Sequence, residues 1–161
     1  MNSNICLLGA SNSGKTCFVN KLVDSKISIP SPTIGVQFTP KVFYYDNKKI
    51  RWQIWDFGGF YKNISFLCKY VKRCSVFLIF IDMTIKLNKK EIEFYFETVY
   101  KEHKNPYIII VCSKSDKSII DYEDILILCE KYNVTSQYIS IFDDSIEFLK
   151  NKINHYLSLN Y

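Results

Sequence analysis

Apolar residues along this chain follow two periods. Short runs rich in β-branched and aromatic side chains fall at Ile5–Leu8, Gln37–Tyr45, Ile50–Trp55, Val76–Ile81, Tyr107–Cys112 and Tyr138–Ser140, and they predict strands. Longer stretches between them carry helical spacing. Ile92, Phe96, Val99 and His103 fall at i, i+4, i+7 and i+11; Ile125, Cys129 and Tyr132 repeat the pattern, as do Ile146, Leu149, Ile153 and Tyr156. Residues Gly14–Val23 and Tyr61–Val71 complete five predicted helices. Asp46-Asn47, between the second and third runs, predicts a hairpin turn. Strands alternating with helices imply a mostly parallel sheet covered on both faces, to which the hairpin adds one antiparallel edge strand. The expected architecture is therefore α/β, in three layers, with six strands. Ligands in such sheets bind at the carboxyl ends of the strands, so chemically informative residues should stand just after the apolar runs.

They do. Gly9-Ala10-Ser11-Asn12-Ser13-Gly14-Lys15-Thr16 follows the first strand and opens a helix, matching G-x-x-x-x-G-K-[ST] in the setting that motif requires. Its glycines let several N–H groups turn inward toward phosphate oxygens, Lys15 brings a positive charge, and the Thr16 hydroxyl can ligate Mg²⁺. Asn12 sits where a positive φ is expected, which Asn tolerates well. Thr33-Ile34-Gly35, in a Pro-flanked loop, offers a hydroxyl that can reach Mg²⁺ and a γ-phosphate. Asp56 ends the third strand and can hold Mg²⁺ through water, while the Gly59 N–H can meet the γ-phosphate; losing that phosphate would release both loops. After the fifth strand, the Asp116 carboxylate can accept the ring N–H and exocyclic amine of guanine, a donor pair adenine lacks. Ser140, after the last strand, would complete that pocket through nearby backbone N–H groups.

Size and composition prune the alternatives. A chain of 161 residues is expected to form one domain, residues 1–161. Asp56-Phe57-Gly58 also spells a kinase triplet, but a protein kinase needs two lobes and an H-R-D-x-x-x-x-N loop, which is absent. A small-molecule kinase would want an arginine-rich lid, and the arginines are only Arg51 and Arg73. The net charge of +5 comes with short basic runs interleaved with apolar residues, which reads as a solvated face rather than a nucleic-acid patch. The six cysteines form no C-x-x-C, and several lie inside apolar runs, as reduced cytosolic thiols do. No apolar run has membrane-spanning length. Asn2 excludes N-myristoylation, and the final Ser158-Leu159-Asn160-Tyr161 has no cysteine to prenylate. With these ends native, the expectation is a cytoplasmic protein without its own lipid anchor, recruited to membranes by partners.

The ordered set Gly9–Thr16, Thr33, Asp56–Gly59, Ser113–Asp116 and Ser140-Ile141-Phe142 resembles the Ras-superfamily small GTPases, from Asn4 to about Leu157. Thr33–Phe38 (TIGVQF) and Trp52–Asp56 (WQIWD) look most like the Rab branch. The double glycine Gly58-Gly59 and the Asn12–Thr16 stretch resemble Arf-like and Tem/Spg septation GTPases. The resemblance implies a P-loop NTPase G domain that binds GTP or GDP with Mg²⁺. It places the nucleotide against Ser11, Asn12, Ser13, Gly14, Lys15, Thr16, Cys17, Thr33 and Gly59, and its base against Ser113, Lys114, Asp116, Ser140 and Ile141. It gives the metal to Thr16, Thr33 and Asp56, and catalysis to Lys15, Thr33 and Gly59. It further implies effector proteins that read the two switch loops and an aromatic triad at Phe38, Trp55 and Tyr70, with an exchange factor and a GTPase-activating protein as further partners.

Three positions depart from the family pattern. Phe60 stands where a glutamine usually orients the attacking water, and phenylalanine has neither donor nor acceptor. Slow intrinsic hydrolysis is expected. Ser113 replaces the usual asparagine, with a shorter reach to the phosphate loop, and Phe142 replaces a lysine. Both lead us to expect nucleotide binding weaker than is typical for the family.

Overall fold

Every residue from Val76 to Asp82 is buried, as befits a strand with neighbours on both sides and helices on both faces. This strand, β4, belongs to a sheet that also holds β1 (Asn2–Gly9), β2 (Val36–Tyr45), β3 (Lys48–Phe57), β5 (Tyr107–Ser113) and β6 (Thr135–Ile139). The structure, a computed structural model, describes residues 2–24, 30–59 and 64–160. The strand order is β2-β3-β1-β4-β5-β6. Among the described residues, only the β2–β3 pair is antiparallel. Asp46 and Asn47 join that pair with φ of 47° and 60°, the left-handed values a tight type I′ hairpin needs.

Five α-helices lie among the described residues: α1 (Lys15–Asp24), α2 (Ile64–Val71), α3 (Lys89–Glu102), α4 (Tyr122–Tyr132) and α5 (Ser145–Asn160). One face of the sheet packs Phe18 and Val19 of α1 and Ile146, Leu149, Ile153 and Leu157 of α5 against Ile5, Leu7, Trp52 and Ile54. The other face packs Leu67 and Val71 of α2, Phe96 and Val99 of α3, and Ile125 and Leu128 of α4. The buried Trp52 indole N–H donates to Asn154 Oδ1 at 2.8 Å, so this core position leaves no donor orphaned. Together the layers make the expected α/β architecture.

Boundaries moved where polar residues carry them. β6 begins at Thr135 rather than Tyr138, because Thr135-Ser136-Gln137 pair along β5 at the sheet's edge without a buried face. Ser140 falls just beyond it. α3 begins at Lys89, capped by Asn88, whose side chain accepts from the Glu91 N–H. His103 ends α3 as its C-cap, its Nε2 donating to the Val71 carbonyl at 2.8 Å. Residues 61–63, the expected start of the second helix, and Phe60 lie outside the described residues. Cys6, Cys74 and Cys112 are buried, and Cys17, Cys68 and Cys129 half-buried, all as free thiols. Among the described residues, no helix is long and apolar enough to cross a membrane.

Candidate functional site

β1 delivers the chain into the phosphate-type loop through Gly9, at φ 139°. A Cβ there would lie 2.5 Å from the Phe80 carbonyl oxygen, so only glycine fits beside β4. Asn12 holds φ 62°, as its sequence position requires. The loop then feeds α1, whose first turn directs N–H groups and the positive end of its dipole toward the loop's hollow. Lys15 begins that helix and is buried, 4% exposed. Its Nζ donates to the carbonyls of Gly9 (2.7 Å) and Ala10 (2.6 Å) and to Ser13 Oγ (3.2 Å). Burial pushes its ammonium down to about 8, against the opposing pull of the Asp56 and Glu91 carboxylates.

Thr16, Thr33 and Asp56 converge beside this loop. Thr16 Oγ1 donates to Asp56 Oδ2 at 2.6 Å and lies 2.9 Å from Thr33 Oγ1. The three come from α1, from the loop before β2 and from β3, and meet because β1 and β3 are parallel neighbours. Burial raises the Asp56 carboxyl, with the Thr16 hydroxyl, Lys15 and the Thr33 hydroxyl holding it back. Its second oxygen, Oδ1, is buried without a hydrogen-bond partner among the described residues. Two hydroxyls and a carboxylate with an unspent oxygen form an all-oxygen donor set, which suits a hard divalent cation such as Mg²⁺. The loop carrying Thr33 is fastened to the end of β3: the Gly58 N–H donates to the Gly35 carbonyl at 2.9 Å, and a Cβ on Gly58 would sit 2.2 Å from Thr33 O. Gly59 in turn lies against the phosphate-type loop, where a Cβ would meet Ser11 N at 1.8 Å.

Two adjoining clefts result. One, of about 280 Å³, is lined by Ser11, Asn12, Ser13, Gly14, Lys15, Thr16, Cys17, Thr33 and Gly59, with Lys114 at one side. The other, of about 160 Å³, is lined by Gly14, Cys17, Ser113, Lys114, Asp116 and Ile141, together with Lys117, Ile139 and Phe142. They share Gly14, Cys17 and Lys114 as walls. Asp56 and Ser140 line neither and stand one layer behind, Asp56 on Thr16 and Ser140 on Phe142. The Ser140 Oγ accepts the Phe142 N–H at 3.2 Å, and the Ser140 N–H goes to Ser145 Oγ at 2.8 Å.

Ser113, for all its short side chain, reaches the loop: its Oγ lies 2.6 Å from the Ser13 carbonyl and 3.0 Å from that of Ile81. One participant gave no signal as a site residue. Asp82 ends β4 and accepts from Lys114 Nζ at 2.5 Å and from the Thr84 N–H and hydroxyl. Burial raises its carboxyl, but those hydrogen bonds outweigh burial and hold it below the usual carboxylate range. It fixes Lys114, whose backbone is left-handed at φ 56°. An acid closing an otherwise apolar strand was the available clue.

Away from the clefts, Phe38, Trp55 and Tyr70 form one aromatic chain. Ring centroids are 4.7 Å apart for Phe38–Trp55 and 5.0 Å for Trp55–Tyr70. The first pair is cross-strand, Phe38 opposite Trp55 on the β2–β3 hairpin, and Phe38 remains 46% exposed.

The comparisons with known proteins follow the same outline. A family model described as "Ras of Complex, Roc, domain of DAPkinase" matches residues 4–116, from β1 through Asp116 and well over half of the chain. "Ras-related protein Rab-19" of Bos taurus is 27% identical over 152 residues, covering 91% of this chain and 68% of its own length. The Rattus norvegicus Rab-19 is 30% identical over 135 residues, covering 81% of this chain and 62% of its own. "Ras-related protein SEC4" of Saccharomyces cerevisiae is 31% identical over 116 residues, covering 70% and 53% respectively. The chain thus spans between about half and two thirds of the length of these relatives. Taken with the ordered loops at the strand ends, the match makes this chain a member of the Ras superfamily of small GTPases, with its affinity to the Rab branch.

Proposed function

We propose that residues 1–161 form one G domain that binds GTP and GDP with Mg²⁺ and acts as a molecular switch. The observation that carries this reading is the meeting of Thr16, Thr33 and Asp56 beside the phosphate-type loop, with Asp56 Oδ1 unspent. Thr16 and Thr33 would hold the metal by their hydroxyls and Asp56 through its free oxygen; when bound, Mg²⁺ neutralises phosphate charge. Lys15 would exchange the Gly9 and Ala10 carbonyls for β- and γ-phosphate oxygens, whose negative charge favours its ammonium form. The N–H groups of Ser13 to Cys17 take phosphate oxygens at the start of α1. The Gly59 N–H and Thr33 sense the γ-phosphate, and Asp116 reads the guanine edge.

Loss of the γ-phosphate frees the Thr33 and Gly59 loops together, since the Gly35–Gly58 bond joins them. Effectors would read those loops while the γ-phosphate holds them, together with the Phe38–Trp55–Tyr70 surface. On the Rab affinity, the role is in intracellular trafficking or signalling, in the cytoplasm, with partners supplying membrane recruitment, nucleotide exchange and activation of hydrolysis. Phe60 cannot orient a water, so intrinsic turnover is slow. The same residue favours a second reading, a GTP-binding scaffold with little or no hydrolysis.

Titration calorimetry with GTP, GDP and ATP, with and without Mg²⁺, tests the proposal. Binding of both guanine nucleotides but not ATP is expected, strengthened by Mg²⁺ and weakened in Asp56→Ala. Absence of heat with every nucleotide would end it.

A further inference from the structure

We infer that the outer face of the β2–β3 hairpin, near the amino end of β3, docks on an anionic bilayer surface. The inference goes beyond the switch reading and does not depend on it. Charge is divided unevenly along the chain: residues 1–75 carry eleven Lys and Arg against three Asp and Glu, and residues 76–161 carry ten against thirteen. Pairing is uneven too. Of the five ion pairs among the described residues, four lie wholly within the second stretch, and none engages Lys49, Arg51, Lys69 or Arg73, all of them exposed. Alternation along β3 sorts its side chains. Ile50, Trp52 and Ile54 are buried in the core on the α1 and α5 side, so Lys49, Arg51, Gln53 and Trp55 point the other way. Their cross-strand partners Tyr44, Val42, Pro40 and Phe38 share that outer face.

Tyr70 of α2 meets this face at Trp55, while Arg51, Lys49 and Tyr44 stand exposed beyond it, Tyr44 at 76%. Asn4 of β1 brings Arg73 to the same border: it accepts from the Trp55 indole N–H at 3.1 Å and donates to the Arg73 carbonyl at 3.0 Å. The acidic side chains of the hairpin are Asp46, at the turn, and the buried Asp56. The cations are thus spread along an open strand face rather than gathered round a cleft. Such a strip gives a peptide's side chains little to lock into, whereas a lipid surface asks only for charge at one level. Tyr44, opposite Lys49, suits that level, with its ring among headgroups and its hydroxyl in water. Each basic side chain near an anionic leaflet strengthens binding about fivefold.

The test is co-sedimentation of the full chain with phosphatidylcholine vesicles, with and without phosphatidylserine, at low and high salt, with thermal unfolding as a fold control. Wild type should sediment with the anionic vesicles alone, and high salt should release it. Lys49→Thr/Arg51→Thr keeps strand-forming side chains and should weaken that binding about twenty- to thirtyfold, two basic side chains at about fivefold each. Arg73→Ala leaves the hairpin intact and should lose about fivefold, which keeps the test decisive if the hairpin variant unfolds. Lys89→Ala/Lys90→Ala removes the same charge from the start of α3 and should bind like wild type. Wild type that ignores anionic vesicles would overturn the inference, as would undiminished binding in the hairpin variant and in Arg73→Ala. Equal loss in the hairpin and α3 variants would overturn it as well, leaving net charge without a docking face. Wild type that prefers soluble polyglutamate to the vesicles would overturn it in favour of an acidic protein partner.

Discussion

Single residues set both the chemistry and the pH behaviour. On the proposed switch reading, Phe60 stands where a glutamine usually positions water, and one missing positioning group costs roughly tenfold to a thousandfold in rate. Phe60→Gln should therefore raise single-turnover GTP hydrolysis by that order; an unchanged rate would overturn the proposed role of Phe60 in slowing turnover. Cys112 gives a second handle. Burial pushes its thiol up to about 12 from an ordinary 9.0. A raised folded value means the unfolded chain loses the proton first. Cys112 thus contributes stability that is intact below pH 9.0 and drains away as pH climbs toward 12. Wild type should lose about 1 kcal/mol more than Cys112→Ala between pH 8 and pH 10 in matched urea titrations. Comparison with the variant cancels the other titrating groups. Asp116, Lys15 and Thr33 could be picked out as candidates because each motif names a residue type at a fixed spacing, and all three line the clefts. Asp82 could not, since its role is to hold Lys114, and a supporting contact across 32 positions leaves no local pattern.

Elements were read best where packing dictates the pattern. The all-buried β4 and the α5 stripe of Ile146, Leu149 and Ile153 announce themselves, because burial permits only apolar side chains there. Ends were read poorly where polar groups decide them: the Asn88 cap of α3, and Thr135–Gln137 at the start of β6, satisfy backbone hydrogen bonds without any apolar signature. The Asp46-Asn47 turn is the exception, because positive φ restricts residue choice so tightly. Asn47→Val forces a β-branched residue into that region and should cost about 1–2 kcal/mol. Asn47→Gly should stay within about 0.5 kcal/mol of wild type, its conformational ease offset by a more disordered unfolded chain. Urea midpoints of the two variants decide this, and equal midpoints would show that the hairpin tolerates any turn.

For the whole molecule, the fold brings distant segments to one end of the sheet and couples them there. Gly58 is the joint: a Cβ on it would drive into Thr33 O, so Gly58→Ala must part the two loops. Wild type should show slower amide exchange over residues 33–35 with GTP than with GDP. Gly58→Ala should lose that difference while still binding GDP; persistence of the difference would mean the loops respond independently. The clefts themselves share Gly14, Cys17 and Lys114 and form one trough rather than two sites. A ligand whose anionic tail and flat head are covalently tethered therefore gains avidity, each half raising the effective concentration of the other. Guanosine alone, or a bare polyphosphate, should be held far more loosely than the molecule that joins them.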